Sequence, residues 1–196
     1  MKFLKTLLLV LFGAVSLFAI GEEQIKPTMQ KTTQDAIGVL KNANLSKDEK
    51  VSKIFAVFDP YFDYEQMSKI ALNKRYKSLS AEQKAKFNKA FEERLKSNYV
   101  DKLLSYKNQA INFKDATKPN VNRYFLNADL VGEDGKNYGF TYKFYNAKER
   151  GWLIYDIEIL GVSIIQTYRS QFDSLMENES FENLLEKLNS VQAPQQ

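Results

Sequence analysis

The sequence predicts an α+β domain in which helices come first, strands follow, and two more helices close the chain. Apolar residues have helical spacing in the first half, alternate with polar residues further on, and regain helical spacing near the C-terminus. The strands are joined by short turns, which favours an antiparallel meander with one buried face. We therefore expect a sheet of about four antiparallel strands, covered by a mostly N-terminal set of helices and by two C-terminal helices.

The first residues have the pattern of a secretory signal peptide. Lys2 and Lys5 precede an apolar run, and small residues follow it. The run is short for a membrane-spanning helix of about 20 residues, which favours cleavage over a retained anchor. We expect cleavage after Ala19 or after Gly21, and we assign residues 1–21 to the signal peptide.

The composition of the remaining chain excludes several kinds of chemistry. The sequence has no cysteine and no histidine, so it has no disulfides and lacks both the usual metal ligand and the usual acid–base group at neutral pH. Of its 28 basic residues two lie in the signal segment, which leaves 26 basic against 24 acidic residues. This small surplus is poor evidence for nucleic-acid binding. Residues 22–189 should form one domain, and residues 190–196 a flexible tail.

Capping signals delimit the first three helices. The first should end near Lys41, and the capping box at residues 46–49 opens the second, which Pro60 ends. Asp63 opens a third helix with Tyr64, Met67 and Ala71 on one face. We expect this helix to end at Asn73, a residue that tolerates a left-handed cap.

The longest helix should begin after Ser80 and end near Tyr106. Its large apolar residues step by four positions, so the row drifts around the helix axis. Either the helix curves around a core, or its two ends bury against different elements. The row is Phe87, Phe91, Leu95, Tyr99 and Leu103.

Two assignments concern the side chains of these helices. We assign Phe55, Phe58, Phe87 and Phe91 to the hydrophobic core. The lysines of the long helix, at positions 84, 86, 89, 96 and 102, suggest a solvated face with i,i+4 ion pairs. A docking patch for an acidic partner or for anionic headgroups is the alternative.

Alternation predicts strands over residues 121–131, 137–145 and 152–160, with a short edge strand possible at 110–113. A helix should begin near Val162 and end near Met176, and a short apolar helix follows. On one strand face a row of rings, Tyr138, Phe140, Tyr142 and Phe144, lies opposite Leu126, Ala128 and Leu130. Such a face requires a thick apolar partner, which is either the long helix or a ligand in a gap.

Asp156 and Glu158 share one face of a strand, as a pair of catalytic carboxylates would. The favoured interpretation is a polar outer face, or partners for Arg169 on the next helix. An isomerase-type enzyme that uses Asp156 or Glu158 is the first alternative function, and a docking adaptor without a ligand is the second.

Two stretches resemble a known family. "GWLIYDIEILGVSIIQTYRSQF" followed by "FENLLEKL", and "YFDYEQMSKIALNKRYKSLSAEQKAKFNKAFEERLKSNYVDKLLSY", are similar to the MlaC phospholipid-binding proteins, also called the toluene-tolerance family. Together with the strands between them they cover most of the chain. The sequence has Asn73 where the family usually has glycine, and Tyr76 where it often has tryptophan.

This resemblance implies a periplasmic phospholipid carrier rather than an enzyme, with no cofactor, no metal and no catalytic residue. Acyl chains would enter an apolar cavity between sheet and helices. The implied partners are an MlaA-type outer-membrane lipoprotein with its porin and an MlaD-type inner-membrane MCE-domain protein of an ABC transporter. The expected lipid-binding residues are Gly161, Val162, Ile165, Phe140, Tyr142, Phe144, Leu126, Leu130, Tyr64 and Met67.

Overall fold

The structure, a computed structural model, describes residues 19–107 and 109–190. The predicted signal segment up to residue 18 and the predicted tail beyond residue 190 lie outside these described residues. Within them, no helix combines the length and the apolar character needed to cross a membrane.

The predicted α+β class is confirmed, and the elements follow the predicted order. The first helices are α1 (Ile25–Lys41), α2 (Lys47–Phe58), α3 (Tyr64–Ser78) and α4 (Ala81–Leu104). The strands are β1 (Ala110–Asn120), β2 (Arg123–Val131), β3 (Asn137–Asn146), β4 (Trp152–Ile159) and β5 (Val162–Ser163). The closing helices are α5 (Ile164–Asn178) and α6 (Phe181–Asn189).

The sheet is the predicted antiparallel meander, with strand order β1-β2-β3-β4-β5. Among the described residues it has five strands rather than about four, because β5 adds a short fifth strand. The expected edge strand is also longer than predicted, since β1 covers 11 residues. In β2 and β3, Leu126 lies opposite Tyr142 and Ala128 lies opposite Phe140, which confirms the predicted apolar face.

The predicted start of a helix at Val162 is wrong by two residues. Val162 pairs with Ile159 across a tight turn in which Leu160 and Gly161 have φ values of 50° and 81°. Positive φ at both central residues matches the twist of a two-residue hairpin. Ser163 then begins the helix, because its hydroxyl accepts a hydrogen bond from the Gln166 N–H at 3.0 Å.

The two ends of α4 bury against different elements, which decides between the two expectations for its drifting row. Phe87 and Phe91 stack at 5.8 Å, and both pack edge-on against Phe172 of α5. Phe87 also contacts Phe181 of α6, with ring centroids 6.3 Å apart. The N-terminal half of α4 thus builds a packed aromatic core, and its C-terminal half is left to face the sheet.

The predicted helix break at Asn73, with positive φ, is present, but it is a kink within α3 rather than the end of the helix. The chain bends there, with φ 53° and ψ −128°, and then resumes its helix to Ser78. The helix resumes because Tyr76 is buried, with its ring 6.4 Å from that of Phe87 and its hydroxyl bonded to Asn88 Oδ1 at 3.1 Å. The ψ value lies outside the left-handed helical region, so this backbone suits glycine better than asparagine.

Replacing Asn73 with glycine should therefore stabilise the protein by about 1 kcal/mol, because positive φ strain exceeds the entropy cost of glycine. Lys74→Gly, at the next and exposed position, is the matched control and should destabilise by about 1 kcal/mol. Urea unfolding measures both changes. An Asn73→Gly variant no more stable than the wild type would show that this backbone is not strained.

Asp63 locks α3 to the sheet from a buried position. Its carboxylate accepts hydrogen bonds from the Gln66 N–H at 2.9 Å, the Tyr145 hydroxyl at 2.5 Å and Arg150 at 2.6 Å. Its own backbone N–H donates to the carbonyl of Ile154 in β4 at 2.9 Å. Burial opposes ionisation, but these hydrogen bonds outweigh it and hold the pKa of Asp63 below its usual value.

Asp63→Asn should destabilise the protein by about 2 kcal/mol at neutral pH, because the charged acceptor of these hydrogen bonds is lost. The pKa of Asp63 is lower in the folded protein than in the unfolded chain, where it is about 3.9. The ionised carboxylate therefore stabilises the fold above that unfolded-state pKa, and this stabilisation is lost as the pH falls through the folded-state pKa. The gap between wild type and variant should therefore shrink below about pH 4. Unfolding across pH tests this, and the exposed Asp115→Asn should change stability by less than about 0.5 kcal/mol. A gap independent of pH would contradict the role of the charge.

Candidate binding cavity

A cavity of about 190 Å³ lies between the helix-facing side of the sheet and the helices. The second half of α4 and the inner face of α2 bound it on one side, and β3 and β4 bound it on the other. Its lining residues are Ile54, Phe55, Phe58, Phe62, Tyr64, Met67, Leu95, Lys96, Tyr99, Leu103, Tyr142, Ile157, Ile159, Ile164 and Ile165. Lys96 is the one charged residue in this lining, so the space is suited to an apolar ligand.

The assignment of Phe55 and Phe58 to the core is wrong, because both half-buried rings line the cavity from α2. Phe87 and Phe91 lie in the core as predicted. The physical difference is the partner of each helix. The first half of α4 meets α5 and α6, whereas α2 faces the sheet across the gap.

The cavity contains four of the ten predicted lipid-binding residues, namely Tyr64, Met67, Tyr142 and Ile165. The other six lie elsewhere. Leu126 and Phe144 are fully buried in the adjoining core, Leu130 is half-buried, and Val162 is 60% exposed on the β4–β5 hairpin. Phe140 and Gly161 border a different hollow on the sheet.

Sequence reasoning missed the residues that α2, the end of α4 and β4 contribute. The signals were present, because Ile54, Phe55 and Phe58 follow helical spacing and Ile157 and Ile159 alternate along their strand. Spacing identifies an apolar face, but it does not say whether that face meets side chains or a space.

Exposure along β3 indicates where the cavity opens. Tyr138 is 38% exposed, Tyr142 is 8% exposed and Phe144 is fully buried. Ile159, which lines the cavity and lies opposite Phe140, is 37% exposed. The cavity therefore meets solvent near Ile159 and is closed towards Phe144.

Lys96 departs from the solvated face predicted for its helix. Its ammonium lies 2.7 Å from both Asp59 and Glu92, and 4.7 Å from the centre of the Tyr64 ring. Burial disfavours the charge, but the two carboxylates outweigh it and raise the pKa of Lys96. Its charge is thus neutralised at the cavity wall. The predicted i,i+4 pairs are confirmed for Lys86 and Lys89, and the contact of Lys96 with Glu92 is also one of them.

The hydroxyls around the cavity remain neutral. The Tyr64 hydroxyl donates to Asp59 at 2.7 Å, and burial raises the pKa of Tyr99 to about 12. Neutral hydroxyls and a paired lysine leave no unpaired charge in the lining that would oppose the entry of fatty chains.

Asp156 and Glu158 lie on the side of β4 opposite to the cavity-lining Ile157, and both have structural partners. Asp156 accepts hydrogen bonds from the Ser163 hydroxyl at 2.7 Å and the Ile165 N–H at 3.1 Å, so it fixes the start of α5. Glu158 pairs with Lys143 at 2.6 Å. The expected pairing with Arg169 is wrong, because Arg169 reaches Asp173 of its own helix instead.

A larger hollow of about 730 Å³ lies on the outer side of the sheet, but it is open and charged. Lys26, Lys114, Asp115, Asp129 and Glu158 border it, so it does not suit acyl chains. Throughout the described part of the chain, no cluster of three or more acidic side chains could hold a metal ion.

Residues 30–190 match the MlaC protein family. The chain belongs to the MlaC family. The MlaC protein of Haemophilus influenzae, an intermembrane phospholipid transport system binding protein, is 26% identical over 132 residues, which cover 66% of this chain and 62% of that relative. The chain thus matches less than two thirds of the length of this relative.

A solved structure has the same fold. It is that of the phospholipid-binding protein from Ralstonia solanacearum in complex with a phospholipid. The two structures superpose with a TM-score of 0.71 at 21% sequence identity, and the match covers 83% of this chain and 93% of that chain. The match over residues 30–190 confirms the family that the sequence motifs suggest.

Proposed function

We propose that this protein is a periplasmic phospholipid carrier that shuttles lipid between outer- and inner-membrane complexes, with acyl chains in the cavity. The observation that carries this proposal is the apolar cavity between sheet and helices, open near Ile159. Membership of the MlaC family supports it.

The energetics explain why such a protein needs a cavity and no catalytic group. Two acyl chains contain about 30 methylenes, and exposing them to water would cost roughly 25 kcal/mol at ~0.8 kcal/mol each. A carrier with an interior as apolar as the bilayer removes this barrier. The free energy of the lipid is then similar in the carrier and in the membrane, so both loading and release can occur. Asp156 and Glu158, which the isomerase alternative requires, are engaged in capping and ion pairing.

The cavity must widen to take a diacyl lipid. Its volume of about 190 Å³ is below the roughly 300–1,000 Å³ of common ligand sites. A methylene is about as large as a water molecule in the liquid, roughly 30 Å³, so two chains need several times this space. Ile54 is the one fully buried residue of α2. Of the elements around the cavity, α2 is therefore the one that can move away from the sheet most easily.

The proposed partners follow from the family. The carrier would receive or deliver phospholipid at an MlaA-type outer-membrane lipoprotein with its porin, and at an MlaD-type MCE-domain protein of an inner-membrane ABC transporter. The name of the Haemophilus relative, an intermembrane phospholipid transport system binding protein, supports this route. A docking adaptor without a ligand is not favoured, because its interior would have no use for an apolar space.

Lipid content of cavity variants tests the proposal. Phe55→Glu places a carboxylate in the apolar lining, beside a Lys96 that Asp59 and Glu92 already neutralise. It should lower co-purified phospholipid about tenfold or more, because a buried charge without a free partner is costly. Ala56→Glu, at the adjacent exposed position of α2, is the matched control and should retain it. Each protein is purified from the periplasm, extracted with organic solvent and analysed by mass spectrometry, and circular dichroism confirms folding.

Two results would contradict the proposal. A wild-type extract without phospholipid would remove the carrier function. Equal lipid in the folded Phe55→Glu variant and in its control would show that lipid binds elsewhere.

A further inference from the structure

Two hydroxyls in the cavity lining, those of Tyr99 and Tyr142, have no hydrogen-bond partner among the described residues, and Tyr142 is the more deeply buried of the two. Tyr142 lies in the lining, is 8% exposed and packs edge-on against Phe140 at 5.4 Å. Burial alone raises its pKa, with no hydrogen bond contributing. Within the described ranges, Thr33 Oγ1 is the one buried side-chain atom that is both sealed and unpaired. The Tyr142 hydroxyl is therefore not sealed, and it opens into the cavity as a neutral donor.

The surroundings of Tyr142 supply apolar contacts. Its cross-strand neighbours are Leu126 and Ile157. By contrast, the hydroxyls of Tyr64 and Tyr76 are paired with Asp59 and Asn88. An unpaired hydroxyl in such surroundings is costly, and a phenylalanine would avoid that cost. The hydroxyl therefore has a use only when a ligand brings an acceptor to it.

The depth of Tyr142 specifies which acceptor. Tyr142 lies two positions inward from Phe140, whose neighbour Ile159 marks the opening, and two residues of a strand span about 7 Å. In a glycerophospholipid about five covalent bonds separate the phosphorus from an ester carbonyl carbon, roughly 6 Å at ordinary bond lengths. A headgroup at the opening would place the ester carbonyls level with Tyr142.

We infer that the Tyr142 hydroxyl donates a hydrogen bond to an ester carbonyl oxygen of the bound phospholipid, and so fixes the depth to which the acyl chains enter. This inference rests on the proposed carrier function. It makes Tyr142 a specificity-determining residue that distinguishes ester-linked from ether-linked lipids, because an ether lacks the carbonyl oxygen.

A competition between matched lipids tests the inference. Vesicles contain equal amounts of diester phosphatidylcholine and its diether analogue with the same chains, and mass spectrometry gives the ratio carried by the protein. The wild type should prefer the diester about three- to tenfold, the range expected for one hydrogen bond. Tyr142→Phe, which keeps the ring, should carry the two lipids equally. Tyr76→Phe, whose lost hydroxyl contacts Asn88 in the core and away from the cavity, should keep the preference.

The outcomes separate this inference from the carrier function. If the Tyr142→Phe variant keeps the wild-type preference, or if the wild type has none, the role of the hydroxyl is overturned while lipid carriage stands. If the wild type takes up neither lipid, the carrier function itself fails.

A different observation locates the mature N-terminus. Ile20 is buried in the core, and its carbonyl accepts a hydrogen bond from the Trp152 N–H at 3.1 Å. Gly151 has φ 74°, and a Cβ there would lie 2.7 Å from the backbone N and O of Ile20. The start of β4 is therefore shaped around Ile20, which cleavage after Gly21 would remove.

We infer that the signal peptide is cleaved after Ala19, so that the exported chain begins at Ile20. The intact mass of the wild-type protein purified from the periplasm tests this directly. A mass that corresponds to Ile20 as first residue is expected. A mass that corresponds to Glu22, or to the uncleaved chain, would overturn the inference.

Discussion

An apolar sheet face that its helices do not fill is the constraint on which this structure depends. The chain has no cysteine, so burial must carry its stability, yet its interior contains a cavity of about 190 Å³. At ~24 cal/mol per Å³ of cavity, such a space lowers the free energy of unfolding by about 5 kcal/mol. This is a large part of the 5–15 kcal/mol that is typical of a domain. In the proposed carrier an acyl chain would restore those contacts, which would couple ligand binding to folding stability.

Polar groups at the ends of elements keep the frame of this cavity in place without entering it. Asp63 attaches α3 to the sheet, and Asp156 holds the start of α5 against β4. Lys96 joins α4 to the end of α2 through Asp59, on the rim and with its charge neutralised. These contacts fix α3, α5 and the sheet, whereas α2 has a single fully buried side chain and, among these contacts, is tied only at its C-terminal end through Asp59. The same arrangement thus provides a rigid frame and one wall that can yield.

Sequence patterns predicted the features that depend on residues close together in the chain. The capping boxes at Ser46 and Ser80 and the facing rows of β2 and β3 follow from spacing alone. The continuation of α3 beyond Asn73 was missed because it depends on burial of Tyr76, which is a tertiary contact. The cavity lining was predicted only in part for a related reason. Phe55 and Phe87 have the same character in sequence, and only the packing of the helices determines which ring meets the gap.

The position of acyl chains inside the protein is the most direct test of this account. A phospholipid with a diazirine near the end of one acyl chain can be loaded, photolysed and mapped by peptide mass spectrometry. The account predicts cross-links at deep lining residues such as Met67, Leu95 and Ile165. Cross-links confined to the charged outer hollow around Lys114 and Asp129 would contradict it.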